Sequence, residues 1–254
     1  GMALAESYLA NRFNEEGYPV VDHYTYVLLG DGCMQEGIEN EAASLAGTLK
    51  LGKLIAIYDD NDITIEGDTD CTFTEDVKKR HEALGWQVIN VSDANDLNAL
   101  HRAIKKAKAE TEKPSLIIAK SVIGYGSPLA GNAACHGAPL GELNVEELKK
   151  TLGWTLPPFE VPEEVFKHCK KFAAKGRRAE KAWKELFKAY EEKFPEKAKE
   201  YREFMSGEIN GLDDEDLWKF EKDDATRGYS STVLNKLAEK IPNRIGGSAD
   251  LGPT

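Results

Sequence analysis

YTYVLLGDGCMQEGIENEAASLAGTLKLGKLIAIYDDND, residues 24 to 62, sets the architecture of this chain. Tyr24 to Leu29 is a short apolar run rich in aromatic and β-branched residues, and LIAIYDD (54 to 60) is a second; both read as buried strands. Between them, EGIENEAASLAGTL (36 to 49) has helical spacing, so the stretch predicts a strand–helix–strand unit with parallel strands. The pattern continues on both sides. MALAESYLANRF (2 to 13) has helical spacing, and a turn at Glu16 to Pro19 leads into the first strand. After residue 60 come a helix, the strand WQVINV (86 to 91), the helix DLNALHRAIKKAKAE (96 to 110) and the strand SLIIAKSVI (115 to 123). Repeated βαβ units predict an α/β fold with a doubly wound parallel sheet, which takes ligands outside the carboxyl ends of its strands.

The chemistry is expected at those ends. Both strands stop in polar residues: Gly30-Asp31-Gly32 after the first, Asp59-Asp60-Asn61 after the second. Side by side, they bring Asp31 and Asn61 together. A Mg²⁺ ion takes one or two protein oxygens and completes its octahedron with water and substrate phosphates, so a carboxylate, an amide and a backbone carbonyl suit it. The glycines flanking Asp31 let the backbone approach a diphosphate, and the helix starting near Glu36 offers amide hydrogens to it. Two competing motifs fail on detail. GTLKLGKL (47 to 54) has phosphate-loop spacing, but Leu54 stands where a hydroxyl must ligate magnesium and the stretch precedes a strand. DDNDITIEGDTD (59 to 70) is acidic like a calcium loop, but Ile63 and Thr64 fall where that loop needs a polar ligand and its turn glycine.

The 254 residues are 41% hydrophobic and carry a formal net charge of −11. That length and apolar content fill one large or two modest cores, and the charge repels nucleic-acid phosphate and anionic lipid. No nucleic-acid or membrane partner is expected, and an anionic ligand needs a local device. Cys33, Cys71, Cys135 and Cys169 are widely spread, without metal-site or scaffold spacing, which fits a reducing, cytoplasmic compartment. Residues 163 to 203 carry 13 Lys or Arg and 9 Asp or Glu, interleaved with Phe166, Phe172, Trp183, Phe187, Tyr190 and Phe194. A solvated helical segment packing an aromatic stripe is expected there. ATRGYSSTVLNKLAEKI (225 to 241) and NRIGGSADL (243 to 251) predict a further helix and strand. The opening on Gly1 inside a helical pattern suggests a piece of something longer.

Gly-Asp-Gly alone is an ordinary turn. Followed 29 residues after its acid by Asp60 and then by Asn61, it resembles the thiamine diphosphate signature of transketolases. KPSLIIAKSVIGYGSP, HGAPLG and GGSADL are similar to transketolase segments in the same order, so the resemblance spans essentially the whole chain. It implies an incomplete diphosphate-binding domain over 1–142, a helical connection over 143–223 and a truncated start of a pyrimidine-binding domain over 224–254. It implies thiamine diphosphate held with Mg²⁺, or another divalent cation such as Ca²⁺ or Mn²⁺, with Asp31, Asn61 and the Ile63 carbonyl as metal ligands and Gly32 and Asn61 at the diphosphate. Asp62 stands where the family commonly has Gly, and Asp tolerates a left-handed backbone better than most residues.

The resemblance makes His136, in HGAPLG, the candidate for proton handling and for contacts with cofactor and substrate. The preceding Asn132-Ala133-Ala134-Cys135 departs from the family's Thr-His-Asp-Ser-His pattern, and the loop is one residue shorter. Glu36 matches an acid linking the two active sites of a homodimer, though the helix dipole accounts for it equally. Arg227 and Thr254 match groups that grip the sugar phosphate, and Asp250 lies in a segment approaching the partner subunit's cofactor. The implied activity is transfer of a two-carbon ketol unit from a ketose phosphate to an aldose phosphate, with the acid that activates the cofactor outside this chain. A dihydroxyacetone synthase or a non-catalytic assembly subunit would share most of these features.

Overall fold

The computed structural model describes residues 1–209 and 212–248, and the chain divides into two compact units, Gly1–Arg178 and Ala179–Thr254. In the first unit, helix α1 (Met2–Phe13) precedes strand β1 (Thr25–Gly30), a one-turn helix α2 (Asp31–Met34), α3 (Gly37–Thr48) and β2 (Leu54–Asp60). Then come α4 (Val77–Ala83), β3 (Gln87–Val91), α5 (Leu97–Ala109), β4 (Ser115–Lys120) and α6 (Glu142–Thr151). The four strands form one parallel sheet in the order β1-β2-β4-β3. This is the α/β architecture expected from the sequence, and the strand following Lys113 ends at Lys120 rather than Ile123.

Alternation along the central strands shows why both faces must be covered. Ala56, Tyr58 and Leu116 join Met34, Ala43, Ala46, Val77 and Trp86 in one buried cluster, beneath α3 and α4. Ile55, Ile117 and Ala119 join Ile89, Val91, Ala103 and Ala107 in the other, beneath α5. Successive residues of β2 and β4 therefore enter opposite cores, which is why these strands read as continuous apolar runs. Gly47 permits the tight packing on the first face, because a Cβ there would fall 1.8 Å from the Leu84 carbonyl oxygen. The helices are placed by their caps: the Asp96 carboxylate accepts from the Asn98 and Ala99 amides, each at 2.9 Å, and Asp76 accepts from the Lys79 amide at 3.0 Å.

A partly buried polar network ties α2, α3 and α4 together. Arg80 donates to the Met34 carbonyl and to Glu39, both at 3.1 Å, and to Glu75 at 2.6 Å. His81, 1% exposed, has one ring nitrogen 2.9 Å from Glu39 and the other 3.0 Å from the Val77 carbonyl oxygen.

Helix α7 (Glu163–Lys193) begins in the first unit and ends in the second, where α8 (Pro195–Met205), a short 3₁₀ turn (Glu215–Trp218) and α9 (Thr226–Lys240) follow. The aromatic stripe is buried only in its later part. Phe187 stacks on Trp183 at 5.1 Å and meets Tyr201 of α8 at 5.1 Å, and Tyr190 is fully buried, whereas Phe166 and Phe172 are exposed. The helix over 225 to 241 forms as expected. Residues 243–248 of the anticipated last strand are not a strand, and among the described residues the second unit contains no other strand with which they could exchange hydrogen bonds.

Candidate cofactor site

At the carboxyl edge of the sheet, Gly30 lies opposite Asp59 in the β1–β2 register and Asp60 opposite Lys120 in the β2–β4 register. Asp31 follows at once as the first residue of α2 and is 3% exposed. One of its carboxylate oxygens accepts from the Tyr58 hydroxyl at 2.6 Å and the other from the Asn61 backbone amide at 3.2 Å. The Asn61 side-chain oxygen accepts from the Ile63 amide at 3.0 Å, so Asp31, Asn61 and Ile63, the three expected metal ligands, share one hydrogen-bonded cluster. Asp62, between the last two, has φ of +62°, the left-handed backbone anticipated for that position.

The charges around Asp31 are compensated unequally. Ligand oxygens of Asp31, Asp60 and Asp62 lie within 4.8 Å of one another. Lys120 donates to Asp62 at 2.5 Å and to Asp60 at 3.3 Å. Burial disfavours the Lys120 ammonium, but its bonds to these two acids outweigh that and leave its pKa raised. Burial pushes the Asp60 carboxyl up, against the opposing pull of Lys120. Asp31, the most buried of the three, has no cationic partner among the described residues; Tyr58 and Asn61 are neutral donors. A buried carboxylate without a counter-charge is costly, and a divalent cation bound there would remove that cost.

The glycines point the same way. Gly30 has φ of −120° and ψ of −173°, which any residue can adopt, and a Cβ at Gly30 or Gly32 would meet nothing within 4 Å. Neither backbone strain nor packing within the chain explains them. The space they leave open suits a ligand that approaches the main chain. A cavity of about 730 Å³ adjoins the cluster, lined by Asp31, Tyr58, Asp60, Lys120, Asn90 and Ser92 among others.

A family model described as the thiamine diphosphate binding domain of transketolase matches residues 1–210. The chain belongs to the transketolase family. Transketolase from Nostoc is 49% identical over 99% of this chain, and transketolase 1 of Escherichia coli is 45% identical over all of it. A chloroplastic transketolase of Arabidopsis thaliana is 49% identical over 99% of the chain. A Pichia stipitis transketolase solved in complex with sedoheptulose-7-phosphate superposes with a TM-score of 0.90 at 42% identity, covering 99% of the chain, and the Leishmania mexicana enzyme gives 0.90 at 40% over the same share. The chain spans 38% of the Nostoc relative, 39% of the E. coli relative, 34% of the Arabidopsis relative and 38% of both solved chains.

Of the other residues assigned from the transketolase resemblance, His136, Glu36 and Arg227 are not among the hydrogen-bonded partners of Asp31, and the rest lie outside the described residues. His136 is partly exposed at the end of a 3₁₀ turn (Ala133–Cys135) that the Asn132 side chain caps at the Ala134 amide, 2.8 Å away. Glu36 is the N-cap residue of α3, with its side chain exposed and making no capping bond. Arg227 is exposed in the first turn of α9 in the second unit, and its side chain makes no ion pair or hydrogen bond among the described residues. Asp250 and Thr254 lie outside the described residues. Reading the sequence missed Tyr58 and Lys120. Tyr58 sits two residues before the recognised Asp60, and its inward position in β2 was the available signal.

Proposed function

We propose that the full-length protein carrying this chain is a transketolase, transferring a two-carbon ketol unit between sugar phosphates with thiamine diphosphate and Mg²⁺, or a similar divalent cation. The observation that carries the proposal is the buried Asp31 carboxylate, held among the described residues by neutral donors alone, beside two glycines that the chain's own packing leaves unexplained. Membership of the family supports the choice of diphosphate. In this reading Asp31, the Asn61 side chain and the Ile63 carbonyl hold the cation, Gly32 and Asn61 meet the diphosphate, and Asp250 approaches the cofactor from the neighbouring subunit. When bound, thiamine diphosphate supplies the carbanion chemistry that breaks and remakes the carbon–carbon bond. The residues of this chain orient the cofactor and balance its charge.

His136 handles a proton at the reacting centre, since imidazole is the side chain suited to proton transfer near neutral pH. Arg227 and Thr254 bind the sugar phosphate, for which a guanidinium offers two parallel donors. A homodimer is the expected assembly, and Glu36 lies toward the second site. The protein works in the pentose phosphate or an equivalent sugar-interconversion sequence in a reducing, cytoplasmic compartment, which the free cysteines support. No described helix is long and apolar enough to cross a membrane.

The test is turnover of xylulose 5-phosphate with ribose 5-phosphate by the full-length protein. Activity that requires thiamine diphosphate and a divalent cation and disappears in Asp31→Ala is expected. Undiminished activity of Asp31→Ala, or transfer without the cofactor, would overturn the assignment.

A further inference from the structure

We infer that Tyr58 is a positioning residue for the cation: its hydroxyl fixes the Asp31 carboxylate in the orientation in which it ligates the metal. The inference rests on the site reading above and extends it to a residue outside the expected set of metal ligands.

Tyr58 stands opposite Leu29 in the β1–β2 register and is 3% exposed, with its ring in the core shared by Met34, Ala56 and Trp86. A buried tyrosine needs an acceptor for its hydroxyl, and here the acceptor is a carboxylate oxygen at 2.6 Å, within the short range of charge-assisted bonds.

The Asn61 amide takes the other oxygen at 3.2 Å, and a carboxylate with about four lone-pair sites still has two to offer a cation. With both oxygens held, the carboxylate cannot rotate freely about its Cβ–Cγ bond. The two donors also reach Asp31 from different places, one from within β2 and one from just beyond its end, so the carboxylate is tied to the β1–β2 pairing itself. Carboxylates that bind metals are themselves hydrogen-bonded, and removing such a partner typically weakens metal binding by about 10–100-fold.

Tyr58→Phe keeps the ring and removes only the hydroxyl. Magnesium binding to the full-length protein, measured by calorimetry in the presence of thiamine diphosphate, should weaken by about 10–100-fold, and saturating Mg²⁺ should restore the wild-type dissociation constant for the cofactor. A variant that melts at a lower temperature without cation, yet binds Mg²⁺ as tightly as the wild type, would reduce Tyr58 to a packing role and overturn the inference. Failure of the wild-type protein to bind Mg²⁺ would instead overturn the site reading, and the inference with it. As a second readout that needs no loss of the hydroxyl, 3-fluorotyrosine placed at position 58 should shift its fluorine resonance when Mg²⁺ is added and not when Na⁺ is added. An unmoved resonance on adding Mg²⁺ would also overturn it.

Discussion

Asp62 shows how much one residue can carry. Its φ of +62° lies in a region that costs most L-residues about 1–2 kcal/mol, less for Asp and Asn, and its carboxylate pairs with Lys120. The two effects separate in a pair of variants. Asp62→Asn keeps the backbone tolerance and loses the ion pair, which both partners hold in partly exposed positions and which is therefore worth at most about 1 kcal/mol. Asp62→Ala loses both. Urea unfolding should find the alanine variant less stable than the asparagine variant by about 1 kcal/mol, and equal midpoints would show that the backbone angle carries no cost. The left-handed turn was legible only through the transketolase resemblance, because Asp62 stands where that family commonly has Gly. The convergence of Asp31 with Asn61 was legible in the residues themselves, because each follows directly on a recognisable strand.

At the scale of elements, the strands and most helices were legible from hydrophobic period and capping residues, but the order β1-β2-β4-β3 was not. Lys120 faces Asp60 only because β4 inserts beside β2 and leaves β3 on the far side. No local spacing encodes a partner 60 positions away. The network of Glu39, Arg80 and His81 escaped notice for the same reason: three charged or polar residues on two helices read as solvent-facing until the helices are docked. Glu39 is its hub, with a side chain 15% exposed. Glu39→Gln leaves Arg80 and His81 facing a neutral amide and should lower stability by about 2 kcal/mol. Glu75→Gln, which removes a half-exposed partner of the same arginine, should cost less than about 1 kcal/mol. Chemical denaturation of the two variants side by side checks the ranking, and equal losses would contradict a largely shielded hub.

For the molecule as a whole, the notable surface is apolar. Three successive residues of β1, Tyr26, Val27 and Leu28, are exposed, Leu28 to 80%, and Met2, Ile38 and Leu143 are exposed as well. Both faces of a strand are thus uncovered in the chain alone, and β1 pairs only with β2 among the described strands. Such a surface favours association. The 254-residue chain by itself should scatter light increasingly as its concentration rises, with Leu28→Lys reducing the effect. A chain that stays monomeric at high concentration would contradict this.

The β1–β2 register has a consequence for the lifetime of the protein. Asp31 and Asn61 meet only when the crossover through α3 has closed and the two strands lie side by side, so an unfolded chain contains no site. A diphosphate and cation that bind here bind the folded form alone. At about one hundred times its dissociation constant such a ligand deepens stability by about 2.7 kcal/mol, a large fraction of what a domain of this kind possesses. The amount of folded protein in a cell would then follow the vitamin supply as well as the rate of synthesis.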